Sequence, residues 1–188
     1  AFFLVGDADG NIGVFSSKGR LRRRIHIIDD DDGIRGFART LVGPIVVYSA
    51  HSFGHFSIAA GDLEYPLCSG WSSPIVHAAV DINYSPSRVF VVLADGDVLV
   101  VNTVRGQSKA CDVALKFPRV SGLPFRLYPF AGFMMGIPLS DGKAGVGSWT
   151  ELFVFDLKAM DNGYGAAPPR TVYVQAVVSH ERPAALSV

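Results

Sequence analysis

Hydrophobic and polar residues alternate in short blocks along the whole chain. Brief runs of β-branched and aromatic residues recur, each bounded by Gly, Pro, Asn, Asp or Ser. No stretch keeps the 3.6-residue apolar period of an amphipathic helix for long, so the pattern predicts an all-β fold. Four apolar runs begin at residues 2, 45, 89 and 133, at spacings of 43, 44 and 44 residues. A constant spacing of this length indicates a structural repeat.

Each repeat begins with a predicted hairpin. In the first three units the apolar run is followed by a turn containing Gly, namely Asp9-Gly10-Asn11, Phe53-Gly54 or Asp95-Gly96, and then by a second strand. Gly suits such turns because it adopts positive φ without strain. In the fourth unit a longer insertion, residues 140–147, separates the two strands. Further strands are predicted at 21–27, 64–68, 76–82, 112–117, 125–130, 171–178 and 183–188.

The period and the turns together resemble WD-repeat-like β-propellers over nearly all of the chain. The pattern Asp-Gly-x-apolar-x-Val-Phe stands at residues 9–15 and, less completely, at 95–101. The resemblance implies one propeller-like domain over residues 1–188, with about four blades of four antiparallel strands, which either stands alone or is part of a larger propeller. The chain departs from that family because the Trp-Asp dipeptide and the Gly-His element are missing from their expected places. A two-sheet sandwich is the alternative fold.

Charge and composition narrow the classes of partner. Seventeen basic residues balance 17 acidic ones among 188 residues, so the chain lacks the basic excess that binding to a nucleic-acid backbone requires. No apolar run is long enough to insert into a membrane as a helix. The chain opens on an apolar run without Met, and we expect it to be part of a longer protein. A single sequon at Asn83 is weak support for secretion.

The two cysteines are expected to be unbridged. Cys68 and Cys111 lie one repeat apart, which predicts that they occupy outer strands of adjacent blades. A disulfide needs Cα atoms within about 7 Å, so a bridge would argue against that placement. Unpaired cysteines slightly favour a cytoplasmic or nuclear location, although the compartment stays open.

Several groups of residues could be metal-binding or catalytic, but each is explained more simply as ordinary structure. Residues 7–11 (Asp-Ala-Asp-Gly-Asn) do not match an EF-hand loop, so they are interpreted as a turn. The pair His51 and His55, expected to flank a turn, lacks a third zinc ligand. The sequence contains no nucleophile elbow, Walker loop or dinucleotide fingerprint. We therefore expect no cofactor, no metal and no catalytic residue.

The remaining candidates concern partner binding. The basic run 18–24 would create a local positive field, although charges on an outer strand also prevent edge-to-edge aggregation. Trp149 lies in the Gly-rich insertion between two strands, where burial against its own blade is least assured. The predicted function is a protein–protein interaction or scaffold domain within a larger protein. One alternative is a propeller that binds a small molecule or glycan, with or without hydrolytic activity. The other is a purely structural part of a longer propeller. The candidate binding residues are Trp149, Arg22, Arg24, His51 and His55.

One further prediction concerns closure of the ring. The first unit has three predicted strands instead of four, and a single extra strand follows the last unit. Residues 183–188 are therefore predicted to pair beside residues 2–5, so that one blade contains both ends of the chain. The alternatives are that two chains supply these two strands or that missing blades complete the ring. Such pairing would cover an apolar edge strand that is otherwise open to aggregation.

Overall fold

A computed structural model describes residues 2–29, 33–39, 43–64, 66–81, 88–103, 111–121, 125–130, 132–138, 149–161 and 168–175. Within these residues the regular secondary structure is almost entirely β-strand, with one short helix. The strands are β1 (Phe2–Gly6), β2 (Asn11–Ser16), β3 (Leu21–His26), β4 (Gly36–Ala38), β5 (Ile45–Tyr48), β6 (Ser52–Ser57), β7 (Asp62–Leu63), β8 (Cys68–Ser69), β9 (Ile75–Val80), β10 (Arg88–Leu93), β11 (Val98–Thr103), β12 (Cys111–Phe117), β13 (Phe125–Phe130), β14 (Phe133–Pro138), β15 (Trp149–Asp156) and β16 (Arg170–Gln175). The helix is α1 (Leu157–Asp161).

The strands form four antiparallel sheets in chain order. The first sheet contains β1–β3, the second β4–β8, the third β9–β12 and the fourth β13–β16. Within each sheet, strands that follow one another in sequence lie side by side, except that β8 pairs with β6 instead of β7. The all-β prediction is confirmed. The grouping into four sheets also follows the predicted repeats and differs from a two-sheet sandwich.

One turn prediction and one strand prediction for the second sheet were wrong. The turn after β5 lies at Ser49–Ser52, where the Ser49 amide donates to the Ser52 carbonyl, and Phe53-Gly54 lies inside β6. Gly54 belongs there because a Cβ would come within 2.8 Å of Leu67 and 2.9 Å of Leu63. The strand predicted at 64–68 is replaced by the short strands β7 and β8. A Gly that makes room for packing was therefore mistaken for a turn signal.

The four sheets pack face to face in sequence order, and three apolar clusters fill the spaces between them. The third sheet shows the alternation clearly, because Val89 and Val91 belong to the cluster shared with the second sheet, whereas Phe90 and Val92 belong to the cluster shared with the fourth. Residues next to each other in a strand point to opposite faces, so both faces of this sheet are buried. β10 is buried along its whole length.

The first and last sheets each leave one apolar face exposed. In the first sheet Leu4 packs toward the second sheet, whereas Phe3 and Val5 remain 44% and 47% exposed. The rings of Phe3 and Phe15 stack on this outward face with centroids 5.2 Å apart. In the fourth sheet Phe125, Leu127 and Met134 pack inward, and the residues between them point away from the core. Among them Arg126 is exposed, and the exposed apolar residues are Tyr128, Phe130 and Phe133.

The hairpin turns of the first and third sheets share one construction. Gly10 and Gly96 both have positive φ, at 75° and 87°. The carbonyl of each accepts an amide from the segment that leaves the outer strand, from Ile27 and Ile28 in one case and from Val120 in the other. A Cβ on Gly10 would clash with the carbonyl of Ile28, and one on Gly96 with that of Ser121. Only Gly fits here, because the turn conformation and the close approach both exclude a side chain.

Cys68 and Cys111 form a disulfide, so the prediction of unbridged cysteines was wrong. Cys68 lies in β8 of the second sheet and Cys111 in β12 of the third, which are adjacent sheets as expected. The error lay in the distance, because the two Cα atoms are 5.6 Å apart. Face-to-face packing brings the sheets this close at the short strand β8. The bridge removes the argument for a reducing compartment, since such bonds persist mainly in oxidising ones.

Some predictions fall on residues outside the described ranges. These are the sequon at Asn83, the insertion at 140–147, the end of the strand predicted at 171–178, and the closing strand at 183–188. Among the described residues, no helix is long and apolar enough to cross a membrane.

Candidate functional site

A surface cavity of about 280 Å³ lies between the third and fourth sheets. One wall is formed by the end of β12 and the turn after it, and the other by β15, the start of β16 and the two prolines before it. Phe117 and Phe153 are almost fully buried and contribute apolar surface. The other lining residues are Lys116, Pro118, Arg119, Val120, Pro168, Pro169 and Thr171.

A buried carboxylate organises the basic side of this cavity. Lys116 Nζ lies 2.6 Å from Asp97 Oδ2, and the Arg119 backbone amide donates to Asp97 Oδ1 at 2.8 Å. These hydrogen bonds, that of Lys116 first, hold the pKa of Asp97 below its usual range. The same carboxylate raises the pKa of Lys116. Lys116 and Asp97 therefore neutralise each other, and both are charged at neutral pH.

Arg119 differs from Lys116 because its charge helps to lower the pKa of Asp97 without forming an ion pair with it. Its guanidinium has no carboxylate within ion-pair distance among the described residues, and none of the cavity-lining residues is acidic. Its backbone has φ of 46°, the only positive value for a residue other than Gly in the described chain. This conformation costs of order 1–3 kcal/mol and persists only where neighbouring groups hold it. Here the bonds from Arg119 to Asp97 and from Val120 to the Gly96 carbonyl hold it.

A second polar feature connects three sheets. The Tyr48 hydroxyl lies 3.3 Å from His77 Nδ1, and His77 Nε2 lies 3.1 Å from the Leu127 carbonyl oxygen. A carbonyl only accepts, so Nε2 carries the proton. In the neutral ring Nδ1 then accepts from Tyr48, whose pKa burial raises. Burial first, and the charge of Arg126 as a lesser cause, lower the pKa of His77.

The candidate arginines lie in β3 of the first sheet. Arg22 is exposed. Arg24 donates to Asp7 Oδ2 at 2.7 Å and lies 3.6 Å from Asp9, so it closes the turn that residues 7–11 form. Asp7 also accepts from Asn11 and Asp9, and these bonds, that of the Asn11 amide first, lower its pKa. The oxygens that suggested a metal loop are thus engaged in the turn itself.

The two candidate histidines do not flank one turn as expected. His51 is exposed at the β5–β6 turn, where its amide donates to Ser49 Oγ. His55 lies within β6, is 2% exposed and has its ring edge-on to Phe53 with centroids 6.5 Å apart. The ring of His55 is therefore not presented at the surface.

Trp149 is the first residue of β15 and pairs with Gln175 of β16. The prediction that it lies in the insertion was wrong, because the strand begins at Trp149 and not at residue 151. The five candidate residues thus lie in three different sheets, and the structure does not bring them together. Their role in binding stays a prediction.

Sequence reasoning missed the cavity, although it singled out the hairpin turn next to it. Asp95-Gly96 was recognised as a hairpin turn. No local pattern indicated that the next residue, Asp97, would meet Lys116 and Arg119 of the outer strand and its turn. The meeting of these partners depends on how many residues separate β11 from β12, and no local sequence pattern predicts that number.

Comparison with known proteins leaves the function open. No known family model matches the chain, and a search of curated proteins finds no match. Among the described residues, no three His, Cys, Asp or Glu side chains are grouped as metal ligands.

Proposed function

We propose that this chain is a β-propeller-type interaction and scaffold domain within a larger protein. Its four sheets would be consecutive blades, and its two outward faces would bind further sheets of the same kind. The exposed apolar faces at both ends of the stack carry this proposal. Large exposed apolar patches on folded proteins usually mark interaction surfaces.

The two outward faces correspond to the two sides of the contact that neighbouring sheets form within the chain. In the third sheet, the face containing Val89 receives the preceding sheet and the face containing Phe90 receives the following one. The exposed face of the first sheet is of the preceding type, because Leu4 already packs on the following sheet. The exposed face of the fourth sheet, which includes Phe133, is of the following type. The two faces should therefore fit each other head to tail, either from two chains or through intervening blades.

Self-association tests this proposal directly. The isolated chain should associate in a concentration-dependent way, measured by sedimentation velocity. Val5→Lys and Phe133→Lys should each weaken association, because each places a charge in one apolar face. Val113→Lys is the matched control. Val113 is 45% exposed and Val5 is 47% exposed, but Val113 lies in the outer strand of an interior sheet.

A mixture of the two variants distinguishes head-to-tail contact from other modes. Val5→Lys keeps an intact fourth-sheet face and Phe133→Lys keeps an intact first-sheet face. Mixed in equal amounts, they should form one-to-one dimers and nothing larger, because each dimer is blocked at both ends. A chain that stays monomeric at every concentration, or a Val113→Lys variant that loses association equally, would contradict the proposal.

A further inference from the structure

The cavity between the third and fourth sheets combines an apolar interior with one cation, that of Arg119, which forms no ion pair among the described residues. Its volume of about 280 Å³ is at the lower limit of typical ligand pockets. It can therefore hold one or two amino-acid side chains but not a large cofactor. Val120 and three prolines (Pro118, Pro168 and Pro169) provide the accessible apolar surface that would contact an aliphatic or prolyl group, and the buried rings of Phe117 and Phe153 lie behind them.

The charge of the cavity selects the sign of its ligand. Lys116 is paired with Asp97 at 2.6 Å, and the second oxygen of Asp97 accepts from the Arg119 amide. Both carboxylate oxygens are therefore used inside the protein. The Arg119 guanidinium remains as the cation, and it suits a carboxylate because its planar donors match the two oxygens.

The backbone of Arg119 also ties this side chain to the fold. Its positive φ is held by Asp97 and by the bond from Val120 to Gly96. A Gly would adopt this φ without strain, yet the chain places an Arg there. Residues held in such conformations cluster at binding sites, and this one lies at a cavity.

We propose that this cavity binds a peptide segment in which an acidic residue follows an apolar or prolyl residue. The apolar side chain packs against Val120 and the neighbouring prolines, and the carboxylate pairs with Arg119. The site is separate from the outward faces of the first and fourth sheets, so the two proposals can fail independently.

The test uses two blocked peptides, acetyl-Leu-Pro-Glu-Leu-amide and its Gln counterpart, titrated into the isotopically labelled chain. Amide resonances of Val120, Phe153 and Thr171 should shift with the Glu peptide. Its affinity should exceed that of the Gln peptide by about fivefold, the contribution of a partly exposed ion pair. Salt at about 0.5 M should reduce this difference.

Arg119→Gly is the decisive variant, because Gly relieves the positive φ and keeps the backbone amide that bonds Asp97. It should stay folded and bind both peptides equally and weakly. Arg119→Lys should retain most of the preference for Glu. Arg170→Gln is the control, since Arg170 is exposed near the cavity but does not line it.

Three outcomes would overturn the proposal. The first is an equal response to the Glu and Gln peptides. The second is unchanged binding by Arg119→Gly. The third is an equal response to free acetate, which would identify a site for small carboxylates and not for a peptide.

Discussion

The Tyr48 hydroxyl and the His77 imidazole meet at 3.3 Å across the space between the second and third sheets. His77 also bonds the Leu127 carbonyl of the fourth sheet, so one side chain connects three sheets. Gly36 makes this arrangement possible, because a Cβ there would lie 2.5 Å from the Tyr48 hydroxyl. Protonation of His77 would replace the Nδ1 lone pair with a donor and so disturb the bond from Tyr48.

The stability of the chain should therefore depend on pH through His77. Burial lowers its pKa below the ordinary value of 6.5, so the unfolded chain takes up a proton first as pH falls. The free energy of unfolding should fall as pH drops through 6.5 toward the folded pKa, and level off below it. Urea titrations of the parent and of His77→Gln between about pH 8 and pH 5 measure this effect.

In His77→Gln the part of the pH dependence that lies just below 6.5 should disappear. His51→Gln should keep it, because His51 is exposed at a turn. Equal slopes in all three proteins would rule out His77 as the titrating group.

The disulfide between Cys68 and Cys111 should stabilise the chain substantially. It closes a loop over a sequence separation of 43 residues, for which chain entropy predicts about 4 kcal/mol. The double variant Cys68→Ser, Cys111→Ser should lose a large part of this in urea unfolding. Alkylation of the unreduced, denatured chain should leave both cysteines unmodified by mass spectrometry. Recovery of two alkylated thiols would show that the bridge does not form.

Gly96→Ala should destabilise the third sheet through its hairpin turn. The new methyl would clash with the Ser121 carbonyl, and φ of 87° is strained for Ala. We expect a loss of about 3 kcal/mol or more, because the strain and the clash add. Gly19→Ala is the control, since Gly19 has φ of 74° but open space around it, and it should cost only about 1 kcal/mol. Equal losses in thermal unfolding would show that the close approach is unimportant.

Residues 183–188 are predicted to cover the free edge of β1, either of the same chain or, where the outward faces join two chains as proposed, of the neighbouring chain. Among the described strands β1 pairs only with β2, so it is an edge strand with exposed apolar residues. Deleting residues 183–188 should lower the free energy of unfolding by about 3 kcal/mol, the effect of exposing one or two apolar side chains. Replacing them with Gly and Ser should have the same effect. A deletion variant with unchanged urea stability would argue against closure within one chain.

The sequence by itself determined the strands and their grouping into repeats. Alternation, β-branched residues and turn residues act over a few neighbouring positions, so β1, β10 and β14 were predicted within one residue of where they begin. The exceptions in the second sheet have a tertiary cause. Gly54 looks like a turn residue in sequence, and only the approach of Leu63 and Leu67 explains why it lies inside a strand.

Tertiary structure alone decided which residues that are far apart in the sequence come into contact. The separation of 43 residues between Cys68 and Cys111 states their repeat positions correctly, but a distance of 5.6 Å depends on how closely two sheets pack at a short strand. The grouping of Lys116, Asp97 and Arg119 depends likewise on where the outer strand passes the hairpin turn. Local patterns encode strands because strand formation is local. Contacts between sheets arise from side-chain volumes and loop lengths summed over the whole stack, and no single stretch of sequence contains that information.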